Sequence, residues 1–245
     1  MNPIRNTATK TAEMTRPADT TNASKRTLIA HALPMFLFIA LLSVCGLLKR
    51  PAGPLWFSAP EFWVYPLQTF LCAVLLVSYW REYEFQPVRR PVFAIAIALF
   101  VFVLWIAPQQ FFHFPARVVG FNPDALASNP PAYWTTLILR FVRLVIVVPL
   151  VEEIFWRGFL LRYLISERFE AVPFGTFRWL SFVVVTLAFG LSHSMADWPA
   201  ALITGALYNL VAYQTKSLSS CVLAHALTNL ALGLWIVATR QWGFW

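Results

Sequence analysis

Three polar sets break into the apolar second half of the chain. The first lies in Val151 to Phe159, VEEIFWRGF. There Glu152, Glu153 and Arg157 sit inside a run from Leu137 to Leu164 whose only other charged residues are Arg140, Arg143 and Arg162. The second set is Phe189 to His193, FGLSH, and the third His225 to Asn229, HALTN. Each ionisable group in such surroundings costs roughly 2.5–3.5 kcal/mol on insertion scales, so something must offset it. On a helix Glu153 and Arg157 stand at i and i+4 with the acid N-terminal to the base, the favourable order for pairing. Glu152 is turned about 100° away and has no such partner. One carboxylate is supplied with a cation and the other is left available for chemistry. His225 and Asn229, again four apart, share one helical face. Two histidines, a free glutamate and an amide on apolar helices form a set that faces a bundle interior or a water-filled cavity. Each member also has a plainer reading. A lone intramembrane histidine bridges helices as readily as it catalyses, and Glu153 with Arg157 serves equally as glue between helices. The coincidence of three sets in the C-terminal half points to a functional site there. His31, in an apolar run, and His113, in a loop, are read as structural or surface residues.

The surroundings of these sets follow from composition. Of 245 residues 59% are hydrophobic, 16% aromatic and only 12% charged, and the mean hydropathy is +0.63. That profile excludes an ordinary soluble domain and indicates an all-α polytopic membrane protein. The net charge of +8 sits mostly in short segments between apolar runs, which suits a lipid surface and argues against a nucleic-acid partner. Cys45, Cys72 and Cys221 fall within apolar runs without metal-ligand spacing and read as small core residues.

Taken in order, residues 1–26 read as a disordered basic tail. Residues 27–132 hold three spans, Leu28 to Leu48, Phe62 to Trp80 and Pro91 to Ala107, followed by a loop with the turn GFNPD. Residues 133–240 hold four more, Tyr133 to Ile165, Phe177 to Met195, Ala200 to Tyr213 and Leu218 to Thr239. Each of the first three has roughly the 17–20 residues needed to cross the hydrocarbon. About seven transmembrane helices are therefore expected, with a conical polar cavity among the C-terminal four. Pro149 lies within the fourth span, where its missing N–H frees a carbonyl one turn back that protein or water must satisfy. Basic residues place the N-terminus in the cytoplasm and the C-terminus outside. Arg140 and Arg143 are expected to snorkel toward the outer face. Trp56, Trp63, Trp80, Trp134, Trp198, Trp242 and Trp245 stand near span ends as interface anchors. SMADWP, after His193, is expected to be held within protein, because straight helices leave Glu152, His193 and His225 at unequal depths.

The ordered motifs EExxxR at Glu152 to Arg157, FxxxH at Phe189 to His193 and HxxxN at His225 to Asn229 resemble those of the CPBP intramembrane proteases, the Ras-converting-enzyme-like CAAX-processing endopeptidases of the type II class. A narrower likeness, in VVPLVEEIFWRGFLLRYL, GFNP and WIVATRQWGFW, is to the CAAX-protease-related proteins associated with exosortase systems of Gram-negative bacteria. The resemblance implies peptide hydrolysis at a bacterial cytoplasmic membrane, on a membrane-embedded or membrane-associated protein. Hydrolysis needs a base for water, donors for the oxyanion and a cavity admitting both. Glu152 is assigned as base and His193 as the group that polarises the water. His225 and Asn229 are assigned as oxyanion donors, with Glu153 and Arg157 positioning the backbone and Glu152 or binding substrate. No cofactor is required on this reading. The alternative makes Glu152, His193 and His225 zinc ligands, although no HExxH spacing is present. A non-catalytic membrane scaffold on the same fold is the competing function, and a transporter finds no internal repeat in its support.

Overall fold

The computed structural model describes residues 17–50, 52–117 and 120–245. Among them every long element is a helix: α1 (Pro17–Leu48), α2 (Glu61–Ser78), α3 (Pro91–Phe111), α4 (Pro130–Tyr163, continuous), α5 (Trp179–Leu191), α6 (Trp198–Thr215) and α7 (Leu218–Thr239). A single turn, Leu55–Ser58, precedes α2. Helix α4 is the central element, 34 residues long, and α1, α2, α5 and α7 all pack on it. Helix α5 lies against α6, and α7 against both α3 and α6.

Five of the seven expected spans are long and apolar enough to cross a bilayer: α1 from Lys25, α2, α3, α4 and α7. The other two differ from expectation. Helix α5 has 13 residues, about 20 Å of rise, because the chain turns at Ser192 instead of continuing to Met195. Helix α6 has 18 residues, but Asn209, Gln214 and its threonines keep it outside the apolar class. The two run close together because their contact is made of small residues. A Cβ on Gly190 would lie 2.4 Å from Leu202, and one on Gly205 would lie 3.2 Å from the carbonyl of Thr186.

Further expectations are corrected at the ends of the bundle. Helix α1 already begins at Pro17, so part of the stretch read as a disordered tail is helical; residues 1–16 lie outside the described residues. The SMADWP segment is exposed at Ser194, Met195 and Ala196, not held within protein. It is tied down by the Arg117–Asp197 ion pair at 2.6 Å. Trp242 is buried, and the chain end folds back onto the loop before α4, with the Trp245 carbonyl accepting from Phe121 N at 3.2 Å. Trp242 gives its indole N–H to Asp124 at 2.9 Å. These two tryptophans are a plug over the loop; Trp56, Trp63, Trp80 and Trp134 are exposed.

Prolines inside the helices release backbone carbonyls, and other helices supply the donors. Pro34 cannot donate to Ala30 O, and the Tyr83 hydroxyl does so instead at 3.0 Å. At the other end of α1's neighbours, Ser217 and Ser220 at the start of α7 donate to the carbonyls of Pro87 (2.8 Å) and Arg89 (2.9 Å). These bonds fix α7 to the segment leading into α3.

Candidate active site

Helix α4 is not uniformly α. It widens to π geometry over Arg143–Val147 and again over Ile154–Leu160, leaving an α stretch, Val148–Glu153, between. Short π stretches recur at functional sites, where they redirect side chains. The first one answers the problem posed by Pro149. Val148 N bonds back five residues to Arg143 O, so the next carbonyl, Leu144 O, would look to residue 149, which has no N–H. Asn229 of α7 fills the gap, its Nδ2 donating to Leu144 O at 2.8 Å. The carbonyl freed by Pro149 is thus satisfied by one of the predicted site residues.

The two adjacent glutamates part company at this point. Glu153 and Arg157 are both fully buried, and Arg157 Nη1 donates to Glu153 Oε1 at 3.0 Å. The same Oε1 lies 2.8 Å from His225 Nδ1, while Oε2 has no hydrogen-bond partner among the described residues. Arg157 also gives Nε to Asn209 at 3.1 Å and Nη2 to the Gly205 carbonyl at 3.2 Å. Its guanidinium lies 4.9 Å from the centre of the Phe189 ring and 5.4 Å from that of Tyr208. The plane is therefore enclosed by acceptors at its edge and aromatic faces above. Glu152, half-buried, turns the other way and lines a cavity of about 260 Å³.

That cavity brings Glu152, Phe189, His193, His225 and Asn229 together. Glu153 and Arg157 stand behind the wall, joined to it through His225. Helix α1 contributes Met35, Phe38, Ile39 and Leu42, and α3 contributes Trp105, so the first helices close the chamber that the C-terminal ones furnish. His193, at the end of α5, is fixed on three sides. Its Nδ1 faces the Phe189 carbonyl at 2.8 Å, its own carbonyl accepts from Trp198 Nε1 at 3.1 Å, and its ring lies 5.6 Å from Trp105. A carbonyl has no proton to give, so Nδ1 carries a hydrogen and Nε2 is the ring nitrogen left for other partners. His225 is oriented in the same way, by a carboxylate in place of a carbonyl.

Among the described residues no three His, Cys, Asp or Glu side chains stand together as a metal-holding group. Glu152, His193 and His225, the zinc alternative, share the cavity wall without forming such a cluster. His31 is buried in α1, its Nδ1 2.9 Å from the Thr27 carbonyl, away from the cavity.

Two groups that sequence reasoning passed over belong to this region. Asn209 and Tyr208 on α6 complete the shell around Arg157; an amide in the interior of the sixth expected span was the available signal for the first. Arg140 and Arg143 do not snorkel. Both are 6% exposed, because aromatic rings and an amide receive them inside the protein. Arg140 lies 4.8 Å from the centre of the Phe121 ring and 5.5 Å from that of Trp245. Arg143 lies 4.3 Å from the centre of the Tyr65 ring and bonds Gln68 Oε1 through Nε at 2.9 Å.

Compared with known families, residues 134–231 match the one described as Type II CAAX prenyl endopeptidase Rce1-like. The matched stretch contains all three motifs and omits α1, α2 and α3. No curated protein and no solved structure matches the chain.

Proposed function

We propose that this integral membrane protein is an intramembrane endopeptidase whose nucleophile is a water activated by Glu152, a reading supported by the match of residues 134–231 to the Rce1-like type II CAAX prenyl endopeptidase family. The observation that carries the reading is the sharing of one cavity by Glu152, His193, His225 and Asn229, while Glu153 is neutralised behind the wall by Arg157. A carboxylate that has no ion-pair partner among the described residues, in this chamber, is the group able to accept a proton from water there.

His193 supports Glu152 through Nε2. Since Nδ1 is committed to the Phe189 carbonyl, Nε2 accepts a hydrogen bond from the same water and directs an oxygen lone pair at the scissile carbonyl. His225 acts as donor. With Glu153 facing its Nδ1, donation to the tetrahedral oxyanion runs through Nε2–H. Asn229 spends one amide hydrogen on Leu144 O and has the second for the oxyanion. One residue thus both repairs the helix at Pro149 and faces the reaction. Collapse of the intermediate passes the proton from Glu152 to the leaving amine.

The substrate class is a membrane-embedded, membrane-associated or lipid-modified protein, and the motif stretches VVPLVEEIFWRGFLLRYL and WIVATRQWGFW support the exosortase-associated subgroup. The basic segments support a cytoplasmic N-terminus. Single-turnover cleavage in ¹⁸O-labelled water tests the mechanism. Direct attack places one label in the new product carboxylate during the first turnover, whereas label recovered in Glu152 itself sinks the water mechanism in favour of an acyl-enzyme.

A further inference from the structure

Trp105 lines the cavity from α3, a helix outside the stretch that matches the family, and the hydrolytic reading gives it no role. Its indole N–H donates to Thr204 Oγ1 at 3.1 Å, and Thr204, on α6, is buried. The indole is thus pinned at its polar edge, which fixes where its ring stands. That ring lies 5.6 Å from the centre of the His193 imidazole at an interplanar angle of 58°, within the range of favourable ring pairs. The other histidine is served in the same way. Tyr208, one turn after Thr204 on α6, lies 5.2 Å from the His225 ring and gives its hydroxyl to the buried Thr228 Oγ1 at 2.8 Å. Each imidazole is backed by an aromatic ring whose polar end a buried threonine holds.

His193 needs such a stop. Helix α5 ends at Leu191, so His193 stands in the turn beyond it. Its Nδ1 faces the Phe189 carbonyl at 2.8 Å and the Ser192 hydroxyl at 3.4 Å, and the Phe189 ring is 4.8 Å away, but all three belong to the same turn of chain and move with it. The last torsion of a histidine is broad and roughly two-fold, and one hydrogen bond favours a single orientation by only about two- to tenfold. Among the described residues Trp105 is the ring contact that reaches His193 from another helix. We propose that Trp105 is a positioning residue: held by Thr204, it stops the imidazole from swinging about its last torsion and keeps Nε2 directed at the water that Glu152 activates. That role in hydrolysis rests on the endopeptidase reading; the restraint on the ring does not.

The test uses the full chain in lipid nanodiscs, with histidine labelled by ¹⁵N in the ring and read by solid-state NMR. The chain has four histidines, so one substitution at each assigns every ring signal. Wild type gives a single His193 environment. Trp105→Leu adds a second with about one tenth of the His193 signal or more, and Thr204→Val, which keeps the indole and unpins it, acts in the same direction by less. His31, His113 and His225 hold their shifts throughout. Two His193 environments in wild type, a His193 signal indifferent to both variants, or a change shared by all four histidines overturns the proposal. Turnover is then measured on a peptide that wild type cleaves from a library of apolar decapeptides. Trp105→Leu lowers kcat by about tenfold or more, up to the roughly hundredfold that a 1 Å misplacement costs, with KM within about twofold; Trp105→Phe, which keeps an aromatic face, recovers part of the loss. A raised KM with kcat unchanged makes Trp105 a substrate contact and overturns the positioning role. A protein that cleaves nothing, yet whose His193 ring is freed by Trp105→Leu, refutes the endopeptidase reading and leaves the restraint standing. Full-rate cleavage by Trp105→Leu does the reverse.

Discussion

Arg157→Met is expected to be among the most destabilising single changes in the molecule. The side chain is fully buried and is the hub of three contacts: Glu153 at 3.0 Å, Asn209 at 3.1 Å and the Gly205 carbonyl at 3.2 Å. Removing one partner of a buried ion pair costs about 3–5 kcal/mol, because the other charge is left uncompensated. Glu153 is poorly placed to absorb the loss, since Oε2 already lacks a partner among the described residues. Stranding the Asn209 and Gly205 acceptors adds about 1–3 kcal/mol each in the worst case. His225 remains on Oε1 and offsets part of this, so a net loss of about 3–5 kcal/mol is expected. The decisive comparison is the double variant Glu153→Leu with Arg157→Met, which removes both charges together. Residues in contact couple by about 0.5–3 kcal/mol, and this pair belongs at the upper end. Equilibrium unfolding in mixed micelles, followed by tryptophan fluorescence, measures four proteins: wild type, Arg157→Met, Glu153→Leu and the double variant. A single variant within about 1 kcal/mol of wild type, or a double variant equal to the sum of its parts, would refute the buried-pair account.

Two further outcomes follow from the same geometry. Asn229→Leu leaves Leu144 O without a donor and lowers stability by about 1–3 kcal/mol. Pro149→Ala supplies the missing N–H, so the double variant regains stability in the same unfolding assay while peptide hydrolysis stays impaired; recovery of both would reduce Asn229 to a helix-repair residue. Treatment with a strong zinc chelator leaves the initial rate of peptide cleavage unchanged, and loss of activity restored by zinc would return Glu152, His193 and His225 to the role of ligands.

What the sequence made legible was local. The Glu153–Arg157 pair follows from i, i+4 spacing on one helix, and the apolar runs located the long helices because hydropathy over about 20 residues is a strong signal. The need for a donor near Pro149 was also readable, since it depends only on proline chemistry. That the donor is Asn229, 85 positions away in the chain, was not. Arg143 shows the same limit. Snorkelling is the reasonable expectation for a lone arginine in an apolar run, but Gln68, Tyr65 and Phe38 come from α1 and α2 and convert it into a buried, oriented group. The shortness of α5 escaped notice because the run from Phe177 to Met195 is mostly apolar, although Gly190 and Ser192 mark where the helix gives way to a turn. The chain end was misread for a related reason: tryptophans near a span end are enriched at interfaces, whereas Trp242 packs inward because Asp124 accepts its N–H.

The central claim is that the cavity carboxylate of Glu152, and not its buried neighbour, carries hydrolysis. Protein termini are therefore compared in membranes of cells making wild type or Glu152→Gln, with both proteins shown to accumulate equally. Gln keeps the size and hydrogen bonding of the residue and removes the base, whose contribution is about 10²–10⁴-fold. New termini present with wild type and absent with Glu152→Gln are the predicted result, and they name the substrate. Identical termini in the two membranes, with Glu152→Gln still supporting whatever function deletion of the protein abolishes, would contradict the account and leave a scaffold built on a protease fold.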